Sequence, residues 1–257
     1  MIIATRQAHR AGTLSAIEVL HLQKNYGDII AVDQLSFSIP RGKTYALLGG
    51  NGAGKTTTLS MMLGLLLPTS GTIRILGIDM IKDRFKALPR MNFTSPYVDI
   101  PHRLTVEQNL RVYGGLYGLK NVKRRITVLA EEYHLTPLLK RRYGSLSQGQ
   151  KTRVSLAKSL LNEPEILLMD EPTAALDPYT ADQVRTALKA YQERLGATIL
   201  LASHNMQEVE RLCEKVLMMK KGRLVDQGSP AELITRYGEQ NLEDVFIQIA
   251  KGTELPQ

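Results

Sequence analysis

The sequence predicts an α/β protein with a mainly parallel core sheet, a small antiparallel β layer before it and a helical segment inserted in the middle. Two observations favour this class. Short apolar runs of strand length alternate with helical patterns, both before and after a long helical stretch. The 257 residues, 43% of them hydrophobic, also provide enough chain for one large domain or two small ones around a substantial core.

The first predicted elements are strands. Ile17 to Leu22 and Ile29 to Ile39 alternate in polarity around the turn Tyr26-Gly27-Asp28, which is typical of an antiparallel pair. The apolar run Tyr45 to Leu48 follows as a buried strand, directly before the first predicted helix. Thr72 to Leu76 has the pattern of a further strand after a proline- and glycine-containing turn. A β layer therefore surrounds the start of the core.

The middle of the chain is predicted to be helical. Thr105, with Gln108 three residues later, forms a capping box in front of one amphipathic helix, and apolar residues from Val122 to Tyr133 mark a second. Strands and helices alternate again towards the end, at Ile166 to Met169, Thr180 to Leu195 and Thr198 to Ala202. The long helix among them is predicted to end at Gly196.

The segment after the strand Tyr45 to Leu48 matches the phosphate-binding pattern G-x-x-x-x-G-K-[ST]. Its residues are Gly49, Gly50, Asn51, Gly52, Ala53, Gly54, Lys55 and Thr56, followed by Thr57. Glycines let successive N–H groups point at an anion, and the positive end of the following helix favours it. Lys55 would reach the β- and γ-phosphates, and the Thr56 hydroxyl would bind Mg²⁺. A nucleoside triphosphate site is predicted; the alternative is a glycine-rich turn before an apolar helix.

Two acids follow the strand Ile166 to Met169. Asp170 would hold Mg²⁺ through its water shell at the edge of the sheet, beside the phosphate-binding loop. Glu171 would orient and activate the attacking water as general base. His204, just after the strand Thr198 to Ala202, could contact the γ-phosphate. The alternatives are a pair of acids in a surface turn and a structural histidine.

Composition excludes several classes of protein. The longest strongly apolar stretch, Met61 to Leu67, is far shorter than the ~20 residues that span a bilayer, and the first residues make a poor signal peptide. We therefore expect a soluble protein that is not secreted. The single Cys213 excludes an internal disulfide, and five histidines lack metal-ligand spacing. The net charge of +8 comes without aromatic residues among its basic clusters, so no nucleic acid is expected as a partner.

Taken together, the motifs resemble those of the ATP-binding cassette (ABC) family. Leu146-Ser147-Gln148-Gly149-Gln150, about twenty residues before Asp170, is similar to the family's signature motif. The phosphate-binding loop then corresponds to Walker A, Asp170-Glu171 to Walker B, Ala175-Leu176-Asp177 to the D-loop and His204 to the switch histidine. The five motifs stand in family order and cover nearly the whole chain.

The resemblance implies a P-loop NTPase (RecA-like) core with an antiparallel β subdomain and a helical insert that carries the signature motif. The ATPase domain would cover residues 17–237, with the insert at about 91–160. A basic tail would occupy residues 1–16, and a C-terminal helix and tail residues 238–257. Tyr26 matches the aromatic residue that stacks on adenine in this family, although a plain turn tyrosine is the alternative.

The family also implies how the protein would work. Two such domains close head to tail, so that each ATP lies between one Walker A motif and Ser147, Gly149 and Gln150 of the other domain. The N–H groups that begin the signature helix would supply the second anion site. The expected partners are ATP with Mg²⁺, a second copy or a similar ATPase subunit, and integral membrane permease subunits. The chain would then lie peripherally on the cytoplasmic face of the cell (inner) membrane.

The tail Leu242 to Phe246 resembles the ending of ATPase subunits from exporters of drugs, polysaccharides or haem, and otherwise reads as a short amphipathic helix. An exporter subunit is therefore expected. The alternative is a soluble ABC ATPase with a role such as iron–sulfur cluster assembly.

Three departures from the family pattern concern the site. The family's loop glutamine is absent, because Ile81 to Thr105 contains no Gln or Glu; Ser95 or Tyr97 would take its place. Gln148 and Gly50 replace commoner residues without removing a catalytic group. Apolar residues near the absent glutamine would either anchor a membrane partner or pack the insert against the core: Phe93, Tyr97, Val98 and Ile100.

Overall fold

The computed structural model of the protein describes residues 15–95, 98–173 and 176–251. Three sites of interest in the sequence fall outside these ranges in whole or part. They are the N-terminal tail, Tyr97 in the loop without a glutamine, and Ala175 in the D-loop.

Strands and helices alternate along the described chain. The strands are β1 (Ser15–Tyr26), β2 (Ile29–Pro40), β3 (Thr44–Leu48), β4 (Ser70–Ile75), β5 (Ile78–Asp79), β6 (Met91–Thr94), β7 (Ile166–Asp170), β8 (Thr198–Ala202), β9 (Lys215–Lys220) and β10 (Arg223–Gly228). The helices are α1 (Lys55–Met62), α2 (Arg84–Ala87), α3 (Val106–Leu116), α4 (Val122–Glu132), α5 (Gln148–Ser159), α6 (Pro178–Leu195), α7 (Met206–Leu212), α8 (Pro230–Tyr237) and α9 (Leu242–Lys251).

The first sheet is antiparallel and has the strand order β2-β1-β4-β5. Its central strand β1 pairs Ile17 with Ile39 of β2 on one side and with Ile75 of β4 on the other. These side chains are fully buried and form one face of a core, whereas Ile29 at the hairpin turn is exposed. The predicted antiparallel pair and the following strand are therefore confirmed, with β1 and β2 each longer than predicted.

The second sheet has the order β10-β9-β3-β8-β7-β6, and its neighbours pair in parallel except for β9 and β10. Every residue of β3, β7 and β8 is buried, because both faces of the sheet are covered. In β3, Ala46 and Leu48 belong to the core formed with helices α3 to α9, and Tyr45 and Leu47 to the core formed with helix α1 and the antiparallel sheet. The core thus consists of two layers, one on each side of this sheet.

Parallel pairing brings the carboxyl ends of the central strands to one edge. The phosphate-binding loop leaves β3 there, Asp170 ends β7 there, and Ser203 follows β8 there. This is the edge at which open α/β sheets bind their ligands. The sequence placed each motif after its own strand, and the topology brings the motifs together.

The predicted helical segment begins later than expected. Met91 to Thr94, at the expected start of the insert, form β6 and pair with β7 as the edge strand of the core sheet. Four residues that include an asparagine carry no clear periodicity, so the strand could not be recognised. We place the insert between β6 and β7, with helices α3, α4 and α5. The predicted capping box of Thr105 and Gln108 starts α3.

The hairpin β9–β10 was not predicted. Its turn falls on Lys221 and Gly222, with φ angles of 48° and 79°, which suits the tight turn of an antiparallel hairpin. The basic residues Lys220, Lys221 and Arg223 surround this turn and obscure the hairpin pattern in the sequence. After α8, helix α9 buries Leu242 and Val245, and Lys220 Nζ donates to the carbonyl O of Ile249 at 2.6 Å. No helix in the described ranges is long and apolar enough to cross a membrane.

Candidate functional site

Two glycines of the phosphate-binding loop, Gly49 and Gly54, lie where the surrounding chain leaves no room for a side chain. A Cβ atom at Gly49 would lie 2.6 Å from the carbonyl O of Met219, and one at Gly54 would lie 2.6 Å from that of Ala31. Gly54 also has a φ of 99°, which side chains rarely adopt. The backbones of strands β2 and β9 therefore pack closely against the loop and fix its curvature. A Cβ at Gly50, by contrast, would meet nothing within 4 Å.

Lys55 begins helix α1 and folds back over the loop. Its Nζ donates to the carbonyl O of Gly49 at 2.5 Å and of Gly50 at 3.3 Å. Burial lowers the pKa of Lys55, while the charges of Glu171 and Asp170 act in the opposite direction. The predicted cation and the two predicted acids are therefore within electrostatic reach of one another.

Asp170 is 7% exposed at the end of β7. Burial raises the pKa of its carboxyl, the neighbouring Glu171 adds to the rise, and Lys55 reduces it. A buried carboxylate of this kind is stabilised by a bound cation. Thr56, at the start of α1, is exposed, and the next residue, Thr57, is half-buried. One hydroxyl and one carboxylate are hard oxygen donors of the type that Mg²⁺ prefers, so the residues present fit that ion.

Glu171 is held in place by its backbone and by both carboxylate oxygens. Its φ of 52° lies in the left-handed region, and its N–H donates to the carbonyl O of Ala202 at 2.8 Å. Oε1 lies 2.7 Å from Nδ1 of His204, and Oε2 accepts from the His204 N–H at 3.4 Å. The Glu171 side chain is 15% exposed and that of His204 is 72% exposed. The structure thus joins two residues that are 33 positions apart in sequence.

Two buried polar residues behind this pair were missed by the sequence analysis. Ser203 Oγ lies 3.5 Å from Oε2 of Glu171 and 2.8 Å from Oε2 of Glu208, and both Ser203 and Glu208 have no exposed surface. Glu208 stands three residues after the helix cap Asn205, where an acid usually bonds back to the cap. An acid on the apolar face of a short helix, next to a serine that ends a strand, is the signal that could have revealed them.

The signature segment lies at the start of α5: Ser147 and Gln148 are exposed, Gly149 and Gln150 are half-buried, and Leu146 is buried. Ser147 caps the helix: the N–H of Gln150 donates to Ser147 Oγ at 3.4 Å, and the N–H of Ser147 donates to Gln150 Oε1 at 3.1 Å. A Cβ at Gly149 would meet Thr180 at 3.5 Å, which is ordinary contact. The chain itself therefore gives no packing reason for a glycine at this position.

Tyr26 ends β1 and is 50% exposed. The Nζ atom of Lys24 lies 5.1 Å from the centre of its ring. The hairpin that carries Tyr26 is linked to the phosphate-binding loop through Gly222, since the N–H of Asp33 donates to the carbonyl O of Gly222 at 2.9 Å and the N–H of Gly222 donates to the carbonyl O of Ala53 at 3.1 Å. The exposed half of the Tyr26 ring has the chemistry for stacking.

The loop without a glutamine contributes Ser95, which is 6% exposed, to a cleft shared with Glu171. The first turns of α5 line the opposite wall with Gln148, Lys151 and Thr152. Of the apolar residues considered as partner anchors, Ile100 is 3% exposed and belongs to the core, Phe93 is half-buried, and Val98 is 40% exposed. Tyr97 lies outside the described residues.

The described part of the D-loop ends at a helix cap. Asp177 Oδ1 accepts from the N–H of Thr180 at 3.0 Å and so starts α6. Hydrogen bonds from Thr180 lower the pKa of this carboxyl. A Cβ at Gly149 would lie 3.5 Å from Thr180 and 3.9 Å from Leu176 of the D-loop, so the D-loop lies beside the first turn of the signature helix.

Comparisons with known proteins agree with this architecture. The sequence profile of the family described as ABC transporter matches residues 32–174. Over 247 residues, 95% of this chain and 75% of the relative, the chain is 38% identical to Nod factor export ATP-binding protein I of Ralstonia nicotianae. It is 36% identical to the probable multidrug ABC transporter ATP-binding protein YbhF of Escherichia coli, over 91% of this chain. This chain spans only 42% of that second relative.

Solved structures match over most of the chain. An ATP-binding subunit of an ABC transporter superposes with a TM-score of 0.84 at 27% identity, covering 92% of this chain and 100% of that one. The protein cbiO1 from Clostridium perfringens, described as part of the ABC transporter complex cbiONQ, superposes with a TM-score of 0.77 at 30% identity. It covers 92% of this chain and 95% of its own. The fold, the motifs and the matching profile agree, and the chain belongs to the ABC transporter family as an ATP-binding, ATP-hydrolysing domain.

Proposed function

We propose that this chain is the ATPase subunit of an ABC exporter and that the residues identified above carry out the hydrolysis. One observation carries the proposal. Glu171 is fixed between the end of β8 and His204, at the sheet edge where the phosphate-binding loop begins. A carboxylate held there, within the electrostatic reach of Lys55, has the position and the chemistry of a general base for water attack on a γ-phosphate.

Each neighbouring group has a separate role. The backbone N–H groups of residues 49–57 and Lys55 bind the β- and γ-phosphates, and Tyr26 stacks on the adenine. Thr56 and Asp170 would hold Mg²⁺, which would neutralise charge on the phosphates. Glu171 accepts a proton from the attacking water. His204 orients the Glu171 carboxylate and offers its exposed ring to the γ-phosphate.

The second half of the ATP site comes from another subunit. Ser147, Gly149 and Gln150 are exposed or half-buried and lie around the positive end of α5, a helix of 12 residues. In the described structure the Ser147 hydroxyl only accepts a hydrogen bond, so its proton is available to a γ-phosphate. A second copy, or a similar ATPase subunit, would supply the phosphate and receive the same contacts in return.

The names of the relatives support the proposed partner and location. One is named for export of Nod factor and another for multidrug transport, and the solved relative cbiO1 is part of a transporter complex. These names favour transport over a soluble role in iron–sulfur cluster assembly. We propose that integral membrane permease subunits bind this chain at the cytoplasmic face of the inner membrane. ATP binding would close the dimer, and hydrolysis would reset it.

The test is the dependence of ATP hydrolysis on protein concentration. The rate per subunit of the parent protein should rise with concentration, because the active species is a dimer. Ser147→Arg should fold and bind ATP but lose this rise, since an arginine would fill the anion site at α5. Ser70→Arg, at an exposed position that starts β4, is the matched control and should behave like the parent. A rate per subunit that is flat with concentration in the parent would reject the shared site.

A further inference from the structure

Helix α7 carries a buried carboxyl group, that of Glu208. Glu208 and Ser203 are both fully buried behind the pair formed by Glu171 and His204. A buried carboxyl group is costly unless it has a specific partner. Helix α7 has other residues facing solvent, so its acid could have been placed outside at no cost. Its position calls for a physical reason.

The hydrogen bonds around Ser203 supply one. The hydroxyl has a single proton but lies 2.8 Å from Oε2 of Glu208 and 3.5 Å from Oε2 of Glu171. The N–H of Asn205 also donates to Ser203 Oγ, at 3.1 Å. If both acids were ionised, the one serine proton could bond only one of them. If Glu208 carries a proton, it donates to Ser203 Oγ, and the serine proton then points to Glu171.

The surroundings of Glu208 favour the protonated form. Burial is the largest cause that raises the pKa of this carboxyl, and the charge of Glu171 raises it further. The hydroxyls of Ser203 and Thr173 and the charge of Arg185 lower it. Cys213, also buried beside α7, is a thiol whose pKa burial raises, so it adds no charge of its own. Together these groups raise the pKa of Glu208. A protonated Glu208 is also the form that lets Ser203 bond to both acids.

We infer that Glu208 is a positioning residue for ATP hydrolysis: its carboxylic acid turns the Ser203 hydroxyl toward Glu171 and thereby holds the general base. This inference rests on the proposed role of Glu171. The hydroxyl and the His204 N–H both approach Oε2, while His204 Nδ1 lies 2.7 Å from Oε1, so these three contacts together fix the plane of the Glu171 carboxylate. Without the hydroxyl, Oε2 would keep only the 3.4 Å bond from the His204 N–H, and the carboxylate could turn away from the attacking water.

The experiment compares Glu208→Ala with Glu208→Gln in steady-state ATP hydrolysis. Alanine removes the donor, so kcat should fall roughly tenfold, the value of one hydrogen bond, while KM for ATP stays unchanged. Glutamine keeps an N–H that can donate to Ser203 and should retain nearly the parent kcat. Ser203→Ala should lose as much as Glu208→Ala. A thermal melt and an ATP-binding measurement accompany each variant.

Glu208→Ala is also tested in the Glu171→Gln variant. This double variant separates the loss of positioning at Glu171 from a general loss of structure. Since Glu208 acts through Glu171, adding Glu208→Ala should not lower the residual single-turnover rate of Glu171→Gln any further. A parent-like kcat in Glu208→Ala, an equal loss in Glu208→Gln, or a further loss in the double variant would each overturn the inference. If Glu208→Ala fails to fold, Glu208→Gln and Ser203→Ala still test the inference, since the first should keep the parent kcat and the second should lose it. Should Glu171→Gln itself hydrolyse ATP at the parent rate, the proposed function fails first.

Discussion

The phosphate-binding loop and the signature segment both place glycines at the start of a helix, but the chain constrains them very differently. At Gly49 and Gly54 a Cβ would lie 2.6 Å from a backbone carbonyl of a neighbouring strand. At Gly149 a Cβ would make only ordinary contact, 3.5 Å from Thr180. Lys55 is folded onto its loop, whereas Ser147 is exposed at its helix end.

The difference separates a loop that the chain itself shapes from a segment that it does not, and these are the two halves of the site that we propose. The first half is built by strands β2, β3 and β9 of the same chain, so its glycines have a cause within the structure. In the second half, no packing within the described chain requires a glycine at position 149, near the exposed Ser147. A ligand or subunit from outside is the cause we propose. Substitutions should therefore separate the two regions by what they damage.

The largest effect is expected at Glu171, which belongs to the first half. Glu171→Gln keeps the size of the side chain and removes the base, so turnover should fall at least ~100-fold. ATP affinity should remain near that of the parent, as measured by titration with a fluorescent ATP analogue. Lys55→Ala is the contrasting control, because it should weaken ATP binding itself. Hydrolysis near the parent rate in Glu171→Gln would remove Glu171 from its proposed role.

A smaller effect should distinguish the two sets of glycines directly. Gly49→Ala forces a Cβ against the carbonyl O of Met219 and should lower the free energy of unfolding by about 1–3 kcal/mol. For a domain of this size that corresponds to a fall in Tm of roughly 2–4 °C per kcal/mol. Gly149→Ala should leave Tm unchanged, as should Gly50→Ala, which meets nothing within 4 Å. Equal melting curves for Gly49→Ala and Gly149→Ala would contradict the comparison.

The smallest effect is expected at Tyr26, at the outer border of the first half. Tyr26→Ala removes the aromatic face and should raise KM for ATP about two- to tenfold, the equivalent of one stacking contact. The kcat value should not change, because Tyr26 touches no reacting group. Tyr26→Phe keeps the ring and serves as the matched control. A parent-like KM in Tyr26→Ala would return this residue to the role of a turn tyrosine.

Much of the fold could be predicted from the sequence, because strands such as Tyr45 to Leu48 are uniformly apolar and are followed at once by a motif. The parts that were missed lack such a pattern. β6 is only four residues long, and the hairpin β9–β10 turns on charged residues. The two layers of core could not be inferred either, since alternation within a fully buried strand is invisible in its composition.

The candidate site also contains residues that the sequence predicts and contacts that it does not. Lys55, Asp170 and Glu171 could be found because their motifs are local, with spacing set by one turn. The contacts of Glu171 with His204 and Ser203 join segments 33 and 32 positions apart. Only the pairing of β7 with β8 makes them neighbours. Glu208 was missed because an acid three residues after a helix cap resembles a capping residue, although its carboxylate bonds Ser203 instead.

In the proposed dimer, the signature segment of each subunit completes the ATP site of the other. Sizing of Glu171→Gln with ATP and Mg²⁺ tests it most directly, because ATP cannot then be consumed and the closed form accumulates. We predict a dimer for Glu171→Gln, a monomer for the same variant without ATP, and a monomer for Glu171→Gln with Ser147→Arg in ATP. A monomer of Glu171→Gln at saturating ATP, or a dimer that persists with Ser147→Arg, would contradict the account.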